Sequence, residues 1–202
     1  MNTKDYFDNA ADTWDDKYLT PTLLSFLEKL VPQFGIATGQ IVLDVGTGTG
    51  VLILYLTKAV GPSGSVTAID LSEKMVQACK AKYAHVKNVS IKMGNIEDTI
   101  FPPETFDAVT CFGVFPHLEN KEKALQNINS VLKRGGKLVI AHALSSEELK
   151  EHHKKVSKHV EHAALPENKD MIQLLEQAGF VDVRIKDETG FYLCSAQKTN
   201  KL

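Results

Sequence analysis

The chain alternates between two kinds of segment, which differ in their pattern of hydrophobic and polar residues. Short, nearly continuous apolar runs rich in β-branched residues predict buried strands, and longer amphipathic segments between them predict helices. The predicted strands cover residues 41–45, 65–69, 89–93, 108–111, 137–141, 181–186 and 192–197. The predicted helices cover residues 22–31, 50–59, 73–83, 121–132 and 169–178, with Gly135 and Gly136 ending the fourth helix and Gly179 ending the fifth. This alternation is typical of βαβ units and predicts an α/β fold with a mostly parallel sheet.

Two polar segments fall outside the alternation. Residues 1–20 carry the aromatic side chains of Tyr6, Phe7, Trp14 and Tyr18 among acids, and residues 143–166 form a polar helical stretch after the fifth predicted strand. Open α/β sheets bind ligands beyond the carboxyl ends of their strands, where the loop after the fifth strand begins. We therefore expect both segments to cover the active site of a single domain, residues 1–202, although a solvated surface is the open alternative.

Composition narrows the classes of function. The 202 residues contain 23 Lys and Arg against 25 Asp and Glu, a formal charge of −2, so no basic face supports nucleic-acid binding. No apolar run approaches the roughly 20 residues that cross a bilayer. The three cysteines are far apart and form no CxxC pair, and the acidic N-terminus lacks the apolar centre of a signal peptide. We expect reduced cysteines in a cytoplasmic protein.

The strongest motif is a glycine turn. The sequence IVLDVGTGTG, residues 41–50, runs from a predicted strand into a turn with glycine at every second position. Glycine lets the backbone bend tightly and approach a ligand closely, and a helix N-terminus follows. The G-x-G-x-x-G spacing of dinucleotide enzymes fails because Val51 stands where the third glycine is needed. Asp44 would also repel a diphosphate, whereas the sulfonium and amino groups of S-adenosylmethionine would suit it.

VLDVGTGTG resembles the first motif of the class I S-adenosylmethionine-dependent methyltransferases, and the later segments follow that family's order over roughly residues 5–198. The resemblance implies a Rossmann-like three-layer sandwich, whose seven-stranded, mostly parallel sheet has one antiparallel strand near the C-terminus. It implies S-adenosyl-L-methionine as cofactor and in-line methyl transfer to a small-molecule acceptor, as in the similar ubiquinone/menaquinone-type methyltransferases.

The resemblance also implies a set of cofactor-binding residues. Asp70, after the second predicted strand, would bind the ribose hydroxyls, with Leu71 and Met75 near the adenine. Asn95 stands where related enzymes often have an aspartate that binds the adenine amino group, and Ile96 would cover the base. The full set is Asp44, Gly46, Thr47, Gly48, Gly50, Asp70, Leu71, Met75, Asn95, Ile96, Cys111 and Phe112.

His117, just past the fourth predicted strand, is the candidate general base, because the ordinary pKa of histidine suits neutral pH. Phe112, Phe115 and Pro116 would exclude water beside it; a surface or structural histidine is the alternative. The substrate and lid candidates are Tyr6, Phe7, Trp14, Phe115, His142 and His153. Histidines also stand at 152, 159 and 162, but lysines and glutamates interleave them and no H-x-x-x-H pair occurs, so we expect no metal site.

Other functions stay open at this point. A nicotinamide-dependent oxidoreductase is disfavoured by Asp44 and Val51, and a non-catalytic S-adenosylmethionine-binding protein would look the same in its glycine turn. No N-P-P-[YF] tetrapeptide follows the fourth strand, which argues against methylation of nucleic-acid bases. We expect a small-molecule acceptor, no nucleic-acid or membrane partner, and a monomer or a homodimer.

Overall fold

The computed structural model describes residues 2–98, 101–156 and 163–200. The described chain forms two compact units, one ending at Asn95 and the other beginning at Ile96. Within these ranges, no helix has both the length and the apolar character that a membrane span requires.

The first unit holds a three-stranded parallel sheet in the order β3-β2-β1. Its strands are β1 (Ile41–Val45), β2 (Ser65–Asp70) and β3 (Val89–Met93). Its helices are α1 (Thr3–Ala10), α2 (Trp14–Tyr18), α3 (Pro21–Leu30), α4 (Ile53–Val60) and α5 (Glu73–Tyr83). Val45 of β1 is paired with Ile69 of β2, so the residues that follow these strands emerge at one edge of the sheet.

Apolar side chains at helical spacing attach these helices to the sheet. Ile53 of α4 and Val76 of α5 pack with Ala68 and Ile91 of the strands in one buried cluster. Burying each large aliphatic side chain contributes about 1.5–3 kcal/mol. Ser72 caps α5 by accepting a hydrogen bond from the Met75 N–H group at 3.1 Å, which fixes where the helix begins after β2.

The second unit holds a four-stranded sheet in the order β4-β5-β7-β6. Its strands are β4 (Phe106–Phe112), β5 (Leu132–His142), β6 (Phe180–Glu188) and β7 (Phe191–Lys198), and its helices are α6 (Lys121–Val131), α7 (Ser146–Val156) and α8 (Asn168–Gln177). β4 and β5 are parallel, and β7 is antiparallel to both β5 and β6. A two-residue turn joins β6 to β7, which is too short for a parallel crossover.

Two predicted boundaries are corrected. The helix predicted from residue 50 begins at Ile53. Gly135 and Gly136 do not end a helix: α6 ends at Val131, Leu132 is already extended, and both glycines lie inside β5. A Cβ on Gly136 would lie 2.7 Å from the Lys133 carbonyl oxygen, so this glycine serves close backbone packing within the sheet. Gly179, in contrast, ends α8 with a φ of +87° as predicted.

Gly50 offers a test of packing around the glycine turn. A Cβ there would lie 2.6 Å from Tyr83 Cε2 and 2.8 Å from Cys79 Sγ, at a φ of +93°. At Gly190, φ is +71° but a Cβ would meet nothing within 4 Å. Both Ala substitutions carry the backbone strain of the left-handed region, and only Gly50→Ala also overpacks its surroundings. We expect Gly50→Ala to lower the free energy of unfolding by about 2 kcal/mol more than Gly190→Ala, measured by urea unfolding. Equal losses would contradict the packing described.

Candidate active site

The glycine turn between β1 and α4 is fixed to the end of β2 by two backbone donors. The Thr47 N–H group donates to the Ile69 carbonyl oxygen at 3.0 Å, and the Gly48 N–H group donates to Asp70 Oδ2 at 2.8 Å. Gly48 has a φ of +55°, and a Cβ at this position would meet nothing within 4 Å. The turn therefore leaves open space at Gly48, so its backbone is accessible to a ligand.

Two carboxylates lie at the carboxyl edge of β1 and β2. Asp44, on β1, is 2% exposed and Asp70, on β2, is 9% exposed. Asp70 Oδ1 accepts from the Ser72 N–H group at 2.8 Å, so each oxygen of this carboxylate already holds one backbone donor. Burial raises the pKa of Asp70, while the hydrogen bonds from Ser72 and Gly48 favour the carboxylate. Each carboxylate oxygen can accept a second hydrogen bond, so Asp70 keeps acceptor capacity for ligand hydroxyls.

The charge of this edge discriminates between the two ligand classes that use glycine turns. A diphosphate at the glycine turn would meet the buried carboxylate of Asp44 in a poorly solvated place, whereas Asp70 suits ribose hydroxyls, which both ligand classes carry. A ligand with a sulfonium, an ammonium group and a ribose meets opposite charge and hydrogen-bond acceptors instead. The residues of the first unit therefore fit S-adenosylmethionine and oppose a dinucleotide.

The N-terminal helices are hydrogen-bonded to this same turn. Asp15 accepts from the Thr49 hydroxyl in the turn and from Lys82 on α5, both at 2.5 Å. Asp8 accepts from the Ser72 hydroxyl at 2.6 Å. Burial raises the pKa of Asp8, but hydrogen bonds from Lys4 and Ser72 outweigh it and lower this pKa to about 2. Asp8 is therefore a carboxylate at any physiological pH, and the N-terminal segment stays attached to the ligand-binding edge.

The predicted lid aromatics form one row on these helices. The Tyr6 and Phe7 ring centroids are 5.2 Å apart, those of Phe7 and Trp14 are 5.6 Å apart, and Trp14 lies 4.4 Å from Tyr18. Tyr6, Phe7 and Trp14 are each half-buried. The structure thus brings these three predicted residues together, and their role as a cover remains a prediction.

The adenine residues predicted on and after α5 differ in exposure. Met75 is 1% exposed and occupies a core position of α5, while Leu71 is half-buried just before the helix. Asn95 is half-buried, and Ile96, the first residue of the second unit, is buried. Asn95 and Leu71 thus keep surface for a base, whereas the side chain of Met75 is enclosed in the core.

In the second unit, a 3₁₀ turn after β4 positions His117. Cys111 and Phe115 are buried, whereas Phe112 and His117 are half-buried. Lys121 Nζ fixes the turn by donating to the carbonyl oxygens of Pro116 at 3.1 Å and Leu118 at 3.0 Å. Phe115 and Pro116 are thus buried in the same turn as His117, and their exclusion of water from the site stays a prediction.

Three predicted histidines converge in the second unit with a tyrosine, and we call His117, His142, His153 and Tyr192 the histidine cluster. The ring centroids of His117 and His153 are 4.9 Å apart, and those of His142 and Tyr192 are 6.1 Å apart. His153 reaches the cluster from α7, and its Nδ1 is hydrogen-bonded to the Ala163 carbonyl oxygen. The neighbouring His152 is exposed, and the positions 159 and 162 lie outside the described residues. In the ranges that the structure describes, no group of His, Cys, Asp or Glu has an arrangement that could hold a metal ion.

The expectation of a near-neutral pKa for His117 is wrong. Burial lowers the pKa of His117 to about 3, and repulsion from His153 and Lys121 acts in the same direction. Burial also lowers the pKa of His142 to about 3, reinforced by His117 and His153. Both imidazoles are therefore neutral at physiological pH, because the cluster holds no carboxylate that would compensate a positive charge on either ring.

Tyr192 is the site residue that the sequence did not predict. It is fully buried on β7, and its Cα is the direct cross-strand partner of His142. A tyrosine in a short apolar strand carries no functional signal by itself. Only the register of β5 against β7 shows that it belongs with the histidines.

Comparison with known proteins places the chain in a family. The model of a methyltransferase domain family matches residues 36–179. Demethylmenaquinone methyltransferase of Staphylococcus aureus is 38% identical over 112 residues, which are 55% of this chain and 46% of that protein. The chain therefore spans about half the length of the curated relatives it matches.

Solved structures agree with this family over nearly the whole chain. An S-adenosylmethionine-dependent methyltransferase from Aquifex aeolicus is 30% identical, with a TM-score of 0.73 over 94% of this chain and 96% of that one. Phosphoethanolamine N-methyltransferase 2 of Haemonchus contortus, solved with S-adenosyl-L-methionine, is 17% identical with a TM-score of 0.72, over 94% of this chain and 60% of that one. The latter supports the fold alone.

The chain belongs to the class I S-adenosylmethionine-dependent methyltransferases, a family of enzymes that use this cofactor. The predicted Rossmann-like α/β fold is confirmed, with seven strands in the described residues and β7 as the antiparallel strand near the C-terminus.

The low pKa of His142 makes stability depend on pH. Unfolded His142 takes up a proton below about pH 6.5 whereas the folded residue stays neutral down to about pH 3, so the unfolded state binds more protons in that window. The free energy of unfolding therefore falls as pH falls, and His142 accounts for a loss of about 2 kcal/mol between pH 6.5 and pH 5. We expect His142→Gln to flatten the pH dependence of the free energy of unfolding by that amount. The same change at the exposed His85 is the control and should leave the slope of the parent; an unchanged slope in His142→Gln would contradict the buried neutral imidazole.

Proposed function

We propose that this chain transfers a methyl group from S-adenosylmethionine to a small-molecule acceptor. The observation that carries the proposal is the pair of carboxylates, Asp44 and Asp70, beside a glycine turn that is open at Gly48. Family membership supplies the cofactor class, and this edge has the charge that the cofactor needs.

The residues that would hold the cofactor divide by the part they recognise. Asp70 accepts hydrogen bonds from the ribose hydroxyls, and Asp44 stabilises the positively charged methionine part. Asn95 and Ile96 serve the adenine, and Gly46, Thr47, Gly48 and Gly50 shape the backbone beneath the ligand. Cys111 and Phe112 flank the methionine part, as the family resemblance implies. When bound, the cofactor supplies an electrophilic methyl group whose leaving group is a neutral thioether.

The chain's own contribution to the reaction is alignment, exclusion of water and removal of a proton. Alignment of two reactants can contribute about 7–11 kcal/mol in the best cases. His117 is a weak base, since its pKa is lowered to about 3. A hydroxyl becomes strongly acidic once its oxygen gains a methyl group, so a neutral imidazole suffices to take the proton late in the reaction. We therefore assign His117 this late proton transfer.

A small-molecule acceptor is supported by two features. The matched Staphylococcus aureus relatives are named for demethylmenaquinone, a small molecule. The balance of 23 basic and 25 acidic residues offers no excess charge for a nucleic-acid backbone.

The N-terminal helices are proposed as a cover on the cofactor, supported by the hydrogen bonds of Asp15 to Thr49 and of Asp8 to Ser72. Segment 143–166 is proposed as a cover on the acceptor, supported by His153 in the cluster; its residues 157–162 lie outside the described ranges.

Asp70 provides the test of cofactor binding. We expect Asp70→Ala to weaken S-adenosylmethionine binding more than tenfold in titration calorimetry, because the ribose loses its charged acceptor. Asp70→Asn keeps one acceptor oxygen for the backbone donors, so it separates ribose binding from folding. This variant should also weaken cofactor binding. Asp12→Ala, at an exposed N-terminal position, is the matched control. An unchanged affinity in both Asp70 variants would refute the ribose assignment.

His117→Gln should keep the cofactor affinity and lower turnover.

A further inference from the structure

Two polar atoms of the histidine cluster are buried without a hydrogen-bond partner in the described part of the chain. They are His142 Nε2 and the Tyr192 hydroxyl oxygen. Their residues lie directly opposite each other on β5 and β7, with the rings edge to face. Unsatisfied buried polar atoms are rare because each forfeits its hydrogen bonds to water. Two of them on one cross-strand pair mark a place where a polar group can be bound.

The charged groups around the pair already have partners. Lys121 Nζ donates to two backbone carbonyl oxygens at the His117 turn. The carboxylate of Asp187, the charged group that faces Tyr192 from β6, accepts from both the N–H group and the hydroxyl of Ser146. The remaining titratable neighbours of the pair are His117, His153 and the buried thiol of Cys194.

This environment selects against ions. His142 and Tyr192 present a neutral imidazole nitrogen and a neutral phenol, so a carboxylate or phosphate would lose its hydration without meeting a cation. An ammonium group would find its nearest carboxylate in Asp187, whose two oxygens already accept from the N–H group and the hydroxyl of Ser146. An uncharged oxygen atom, in contrast, can accept a hydrogen bond from Tyr192 and exchange a second one with His142.

We propose that His142 and Tyr192 together bind one uncharged hydroxyl or carbonyl oxygen of the methyl acceptor. The Tyr192 hydroxyl donates a hydrogen bond to this oxygen. His142 stays neutral in either case: Nε2 without a hydrogen accepts a hydrogen bond from an acceptor hydroxyl, and the Nε2–H tautomer donates one to an acceptor carbonyl. Because both protein atoms are enclosed, side chains around them must shift before the acceptor reaches them. This assignment rests on the proposed methyl-transfer function, and it defines the acceptor as an oxygen-bearing, uncharged compound at this point.

Three small aromatic probes of similar size separate the chemistries. Phenol carries a hydroxyl, toluene carries none, and benzoate is an anion. We expect phenol, titrated into the full chain with S-adenosylhomocysteine present, to shift the imidazole ¹⁵N signals of His142 and to bind more tightly than toluene or benzoate. Tyr192→Phe removes only the hydroxyl oxygen and should weaken phenol binding about fivefold or more, as loss of one hydrogen bond does, with toluene binding unchanged.

Tyr55→Phe, which removes a hydroxyl on α4 of the first unit, is the matched control and should bind phenol as the parent does. The thermal midpoint of unfolding of Tyr192→Phe should equal or exceed that of the parent, because an unsatisfied buried hydroxyl is lost. His142→Gln is the second variant and should also weaken phenol binding. The assignment is overturned if the parent does not bind phenol, if phenol binds equally to parent and Tyr192→Phe, or if benzoate binds more tightly than phenol. Failure of S-adenosylhomocysteine to bind in the same samples would instead overturn the proposed function.

Discussion

The structure of the cofactor edge depends on one carboxylate that serves two backbones. Asp70 accepts from Gly48 in the glycine turn and from Ser72 at the start of α5, so it holds the turn and the next helix in fixed positions. Burial raises the pKa of Asp70, and these two donors offset part of that rise. The same group therefore shapes the site and keeps acceptor oxygens for ribose hydroxyls, while the buried carboxylate of Asp44 suits a cationic nucleoside better than a diphosphate.

The histidine cluster follows the opposite electrostatic rule. His117 and His142 are desolvated without a counter-charge, so both rings are neutral. A neutral cluster favours positioning and late proton transfer over strong base catalysis. This agrees with the chemistry of a sulfonium donor, whose methyl group is already reactive and needs alignment more than activation of its partner. The first unit thus carries a charged edge, and the second carries an uncharged polar cluster.

Much of this could be predicted from the sequence, because local patterns determine it. The apolar runs predicted all seven strands, and Asp44, the glycines and Asp70 lie together at one sheet edge, where their role in binding the cofactor stays a prediction. The role given to Gly135 and Gly136 was wrong because glycine also occurs where two backbones pack closely, and β5 extends through both residues. The near-neutral pKa expected of His117 was wrong because desolvation depends on tertiary packing. Tyr192 was missed because its significance arises from strand register, which joins residues 50 positions apart.

We propose that the carboxylate of Asp44, just before the glycine turn, selects a cationic amino-acid nucleoside over an anionic dinucleotide. Calorimetric titration of the same protein sample with S-adenosylmethionine and with NADH measures this selection directly. The account predicts saturable binding of S-adenosylmethionine and no heat of binding from NADH at the same concentrations. Binding of NADH at the turn, or no binding of S-adenosylmethionine at millimolar concentration, would contradict it.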